Sequence, residues 1–101
     1  HIAIIKDGDV RSSNAHSAYV SYVDVGNIED GNNHRTIINW IASSKKFSVT
    51  FDSTVIFDLT IDIPDIFFNG DSEVYWGFTA ATGSLVNTQK VNFIEFCPPL
   101  N

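Results

Sequence analysis

Phe47-Ser48-Val49-Thr50-Phe51-Asp52-Ser53-Thr54-Val55-Ile56-Phe57-Asp58-Leu59-Thr60-Ile61 (FSVTFDSTVIFDLTI) decides the fold class. Phe47, Val49 and Phe51 alternate with Ser48, Thr50 and Asp52, the period-two pattern of a half-buried strand. Val55, Phe57, Leu59 and Ile61 alternate in the same way against Thr54, Asp58 and Thr60. Between the two runs, Asp52-Ser53 predicts a two-residue hairpin turn, although the glycine usual in such turns is missing.

Upstream, Ser43-Ser44-Lys45-Lys46 predicts another turn, and His34–Ala42 (HRTIINWIA) a long strand. The Thr-Ile-Ile run favours β over helix because β-branched side chains are stiff at χ1. Gly26–Asn33 is turn-rich and acidic. Ala18–Val25 alternates Tyr and Val with small residues and reads as a strand or extended edge. Val10–Ser17 reads as loop, and His1–Ile5 as a short apolar run ended by the Asp7-Gly8 turn signal. Downstream, Pro64 opens a compact apolar cluster, Ile63–Gly70, that reads as one helical turn plugging the sheet, with Gly70 closing it. Glu73–Ala80 predicts a strand, with Trp76, Phe78 and Ala80 alternating against Tyr75, Gly77 and Thr79. Ala81-Thr82-Gly83-Ser84 is small and polar, which suits a sharp turn open to a ligand. Thr88–Phe96 predicts a last strand, stopped at Cys97-Pro98-Pro99 because proline cannot continue a ladder. Six or seven strands spaced by about 8–12 residues, with little helix, predict an all-β antiparallel sandwich or jelly roll.

Composition agrees with one small domain. In 101 residues, 44% are apolar and 13% aromatic, enough to supply a core. Twelve acidic residues stand against six basic ones, for a net charge of −6. Lys45-Lys46 is the one adjacent basic pair, so no nucleic-acid partner is expected, and no anionic membrane surface. No uncharged run is long enough to predict a membrane span. Cys97 is the single cysteine and cannot form an internal disulfide. The chain begins at His1, inside an apolar run, and contains no methionine; it reads as a piece of a longer protein or a processed segment.

The residues point weakly to chemistry. Glycosidases need two carboxylates facing one cleft. Asp62 and Asp65 flank Pro64 in a turn and read as capping or solvated groups, while Asp52 and Asp58 fall on the outward face of their strands. No Ser/His/Asp arrangement has recognisable context. His16 and His34 lack ligand-like spacing to carboxylates and read as surface or strand residues. The expectation is a protein without catalysis.

Four blocks resemble a known family. Val74–Gly83 (VYWGFTAATG) looks like the "vGFSAaTG" block of the legume-type (L-type) lectin domain. Asn27-Ile28-Glu29-Asp30-Gly31, His34–Trp40 and Phe47–Asp52 resemble its "DG…H.v.I.W…..LsVyfDg" stretch. His1-Ile2-Ala3-Ile4 resembles "HiGI", with Ala3 where glycine is usual, and Val10-Arg11-Ser12-Ser13 follows at a similar distance. The variant is most similar to that of secreted or surface-anchored bacterial proteins, including large adhesins of gliding bacteria. The blocks cover only the C-terminal half of such a domain.

The resemblance implies a concanavalin-like jelly roll of two antiparallel sheets. Residues 1–96 would be the C-terminal part of that domain, and 97–101 a tail or the start of a linker. It would pack against the remaining N-terminal half or another segment of the parent protein. It implies carbohydrate binding or cell-surface adhesion, a glycan or polysaccharide partner, and a secreted or cell-surface location without membrane insertion. In the family, calcium and a transition metal such as manganese lie under the sugar site. Of their ligands only the histidine of "HiGI" maps here, as His1; the carboxylates would precede it, so this segment alone assembles no metal site. The last loop of the family's sugar pocket corresponds by position to Gly83, Ser84 and Leu85, with Asn87 near. Its backbone N–H groups would meet sugar hydroxyls. A structural or protein-binding sandwich without sugar binding is the alternative reading.

Overall fold

A computed structural model of the chain describes residues 1–5, 23–81, 84–92, 94 and 95. Among them the regular elements are β1 (Thr36–Ile41), β2 (Lys46–Phe51), β3 (Thr54–Thr60) and a short helix, α1 (Ile63–Phe68). The strands form one antiparallel sheet in the order β1-β2-β3, so the described fold is β with little helix.

Both turns of this meander use left-handed backbone without glycine. Asp52 and Ser53 have φ of 45° and 70°. Two positive-φ residues in a two-residue loop match the right-handed twist of the flanking strands, so the predicted hairpin forms. The β1–β2 connection ends at Lys45, φ 54°, whose N–H donates to the Ala42 carbonyl (3.3 Å). The pairing continues one step past each strand end. The Asp52 N–H donates to the Arg35 carbonyl (2.9 Å), and the Ile61 N–H to the Lys45 carbonyl (2.7 Å).

Register sorts side chains between two faces, because directly opposed residues lie on the same side of a sheet. Ile38, Val49 and Phe57 form one row, and Trp40, Phe47 and Leu59 the next. Burial across the first row is uneven: Val49 is 6% exposed and Phe57 5%, but Ile38 64%. The apolar face is therefore covered over β2 and β3 and open over β1. On the cover side, Ile4, Ile5, Ile63, Phe67 and Phe68 line a cleft of about 200 Å³ together with Phe47 and Ile61. The N-terminal run is tied down by Ile2, which exchanges backbone hydrogen bonds with Val23 at 2.9 and 2.8 Å.

Three expectations are corrected. First, Val55 does not share a face with Phe57. The register shifts between Val49 and Thr50, so Phe57 opposes Val49 while Val55 opposes Thr50. Ile56 is the extra residue of this bulge, and a bulge reverses the alternation on either side of it. Val55 is accordingly 60% exposed, on the face that also carries Ile37. Second, neither Glu73–Ala80 nor the described part of Thr88–Phe96 is a strand. Alternation marks the face a segment would bury but does not supply a neighbour. β1, β2 and β3 obtain theirs through turns of a few residues; the described residues after α1 make no such turn into the sheet. Trp76 and Phe78 still meet edge to face (6.0 Å, 87°). Third, α1 lines the margin of the apolar face and does not plug it, since none of its residues is buried.

The helix ends follow their local chemistry. Asp62 is the N-cap and accepts from the Asp65 N–H (3.3 Å); Pro64 lies in the first turn, where its missing N–H costs no intrahelical bond. Asn69 takes the left-handed C-cap (φ 52°), and the Gly70 N–H closes onto the Pro64 carbonyl (2.8 Å). The Asp62 carboxylate also pairs with Lys45 Nζ at 3.0 Å, joining the helix start to the β1–β2 turn. Most of the strand expected at Ala18–Val25, the Val10–Ser17 loop and Cys97 lie outside the described residues.

Candidate functional site

The loop expected to carry binding begins at Ala81. Gly83 lies outside the described residues, whereas Ser84, Leu85 and Asn87 are all exposed. Leu85 is 79% exposed, so this apolar side chain is held out from the sheet. Among the described residues the Gln89 side-chain amide donates to the Ala81 carbonyl (3.3 Å). This bond brackets Ser84, Leu85 and Asn87 within one short excursion of the chain.

His1 is exposed and sits beside the Ile2–Val23 bridge. Among the described residues, no three His, Cys, Asp or Glu side chains are grouped closely enough to hold a metal ion. His1 is thus in no such group of three within those residues. None of their helices is long and apolar enough to cross a membrane.

A polar cluster that the sequence reading missed surrounds His34. Its Nδ1 lies 2.5 Å from Asp52 Oδ2, and its Nε2 lies 3.1 Å from Asp30 Oδ1. Its ring stacks on Phe51, with centroids 5.3 Å apart and planes 18° from parallel. The hydrogen bonds that the imidazole donates to Asp52 and then to Asp30 hold it above its usual pKa of 6.5. The Asp52 carboxyl is held below its usual value by His34 and by the Arg35 backbone N–H (2.9 Å). The Asp30 carboxyl is lowered chiefly by the Asn32 backbone N–H (2.8 Å). Asp52 was expected both in the Asp52-Ser53 turn and on the outward face of its strand; it lies in that turn, from which its carboxylate reaches back to the start of β1. The available signals were Asp30, four residues before His34, and the hairpin register that sets Asp52 beside Arg35.

The segment leading into this cluster is built of Asx turns. The side chains of Asp24, Asn27 and Asp30 each accept from the backbone N–H two residues on (2.9, 3.0 and 2.8 Å). This is the local bonding that favours Asn and Asp in turns, as the sequence of Gly26–Asn33 predicts.

No family model matches the chain, and no solved structure matches it.

Proposed function

We propose that the chain is the C-terminal part of an L-type lectin-like jelly roll, serving as a carbohydrate-binding or adhesion module of a secreted or surface-exposed bacterial protein. The observation that carries this reading is the behaviour of the Asn27–Asp52 block. Its segments form an acidic turn region, an antiparallel strand, a tight turn and a second strand ending at Phe51, just before Asp52, the order the lectin resemblance implies. The exposure of Ser84, Leu85 and Asn87 is also what a sugar-facing loop requires. Backbone N–H groups there would donate to sugar hydroxyls, and the chemistry is recognition without bond making. His1 would join calcium and a manganese-like ion only with carboxylates supplied from outside this chain.

The test is a glycan-array screen of the parent protein with and without a chelator, followed by titration of the best glycan. Binding that vanishes on chelation is the expected result. Leu85→Pro, which removes one of the loop's backbone donors, is expected to weaken binding about tenfold, the order of one lost hydrogen bond, with the sheet intact by circular dichroism. Binding to no glycan under either condition overturns the sugar-binding reading.

A structural or protein-binding role without sugar recognition is the second reading. It is favoured by the exposed apolar side chains of β1, where Ile37, Ile38 and Ile41 are 51%, 64% and 45% exposed. A bare apolar edge strand is a surface that another segment covers.

A further inference from the structure

His34 has both ring nitrogens against carboxylates, and that arrangement constrains its proton count. An ionised carboxylate only accepts, and a neutral imidazole has one N–H to give. Contacts of 2.5 Å to Asp52 and 3.1 Å to Asp30 are therefore both hydrogen bonds only when the ring carries both protons. Among the described residues the titratable groups facing the imidazole are Asp30, from the loop before β1, and Asp52, from the β2–β3 turn; β2 contributes the uncharged ring of Phe51. Asp30 is fixed within its own loop by the Asn32 N–H, and Asp52 is fixed to the start of β1 by the Arg35 N–H. The imidazole joins the two.

We propose that protonated His34 is a pH-operated clasp that holds the Gly26–Asn33 loop to the tip of the β2–β3 hairpin and releases the loop as the ring loses its second proton. The remaining proton stays on Nδ1, where the contact to Asp52 is shorter, so the bond given up is the one to Asp30. The sign of the effect follows from the shifts. His34 is raised, so its contribution is complete below 6.5 and is lost as pH rises through its folded-state value. Asp30 and Asp52 are lowered, so theirs is complete above 3.8 and is lost as pH falls through their folded-state values. The clasp is closed at mildly acid pH and opens on the alkaline side. It does not depend on the lectin reading, because no sugar or metal takes part.

The experiment is an NMR titration of the full chain from about pH 5 to pH 9, across the range where histidine changes charge. It follows the His34 ring resonances, assigned by their absence in His34→Gln, and the backbone order parameters of Gly31 and Asn32. The expected result is a His34 midpoint above 6.5, with loop order parameters falling over the same pH range from about 0.85 towards 0.6. Asp30→Asn, a change on an exposed loop, should remove the pH response of the loop while Arg35 keeps its amide shift. A His34 midpoint at or below 6.5 overturns the proposal. So does a loop response that is the same in the wild type and in Asp30→Asn. Should His34→Gln fail to fold, the ring resonances are assigned through their coupling to the His34 backbone, and both criteria still apply.

Discussion

Residues 36–60 and residues 71–95 carry similar hydrophobic patterns and reach different ends. Each has alternating aromatic and β-branched residues, and each contains a tryptophan on an apolar stripe, Trp40 in one and Trp76 in the other. The first region is a three-stranded sheet; no described residue of the second belongs to a strand. The difference lies in what connects the segments. Ala42–Lys45 and Asp52-Ser53 return the chain on itself at once, whereas α1 and the Asn69-Gly70 cap lead the chain out of the sheet. Pattern makes a strand possible; proximity of a partner makes it form.

The largest test of this contrast is removal of a core side chain from the sheet. Phe57→Ala, at a residue 5% exposed, is expected to cost about 3–5 kcal/mol, read as a loss of denaturation midpoint. That is a large share of the stability of a small domain. A loss below about 1 kcal/mol would mean that the sheet does not carry the core. Next, Ser53→Gly should stabilise the hairpin by about 1 kcal/mol, since φ of 70° is strained for serine and free for glycine. Thermal denaturation measures it, and no change would place the strain of the turn elsewhere. At the other end of the comparison, Val86→Ala at a residue 99% exposed should leave stability within about 0.5 kcal/mol. A larger cost there would break the comparison by showing that the second region supports the fold.

The smallest effect is a pH effect at the junction of the regions. Lys45, and then the Asp65 N–H, hold the Asp62 carboxyl below its usual 3.8. Its contribution is therefore complete above 3.8 and is lost as pH falls through its lowered value. Because the pair is exposed, the change should be confined to local fraying of α1, visible as a downfield loss of the Asp65 amide shift in acid. An amide that does not move in acid would remove Asp62 as its cap.

The sheet was largely legible in the sequence, and the reasons are local. Phe47, Val49 and Phe51 announce β2, and Asp52-Ser53 announces the turn because both are turn-forming residue types, Asp also tolerating left-handed backbone. The helix start was readable from Asp62 and Pro64. The bulge was not, since the Val55-Ile56-Phe57 run fits either register until β2 is laid against it. Nor was the His34 cluster, because Asp52 and His34 are far apart in sequence and meet only through the hairpin register. Of the residues expected in the sugar loop, Ser84, Leu85 and Asn87 are exposed as a binding loop needs, but their patterns carry no signal of a ligand.

The shortness of the two turns also has a kinetic consequence. Every ladder contact of β1-β2-β3 joins segments adjacent along the chain, a topology of low contact order that favours rapid folding. A hairpin closes in about 1–10 μs, while a ribosome adds about 5–20 residues per second. Between one peptide bond and the next, the emerged meander can form and melt on the order of thousands of times. Whatever segment follows it into solution meets a nascent sheet already at equilibrium, with β1 presenting its open edge as the place where later pairing can begin.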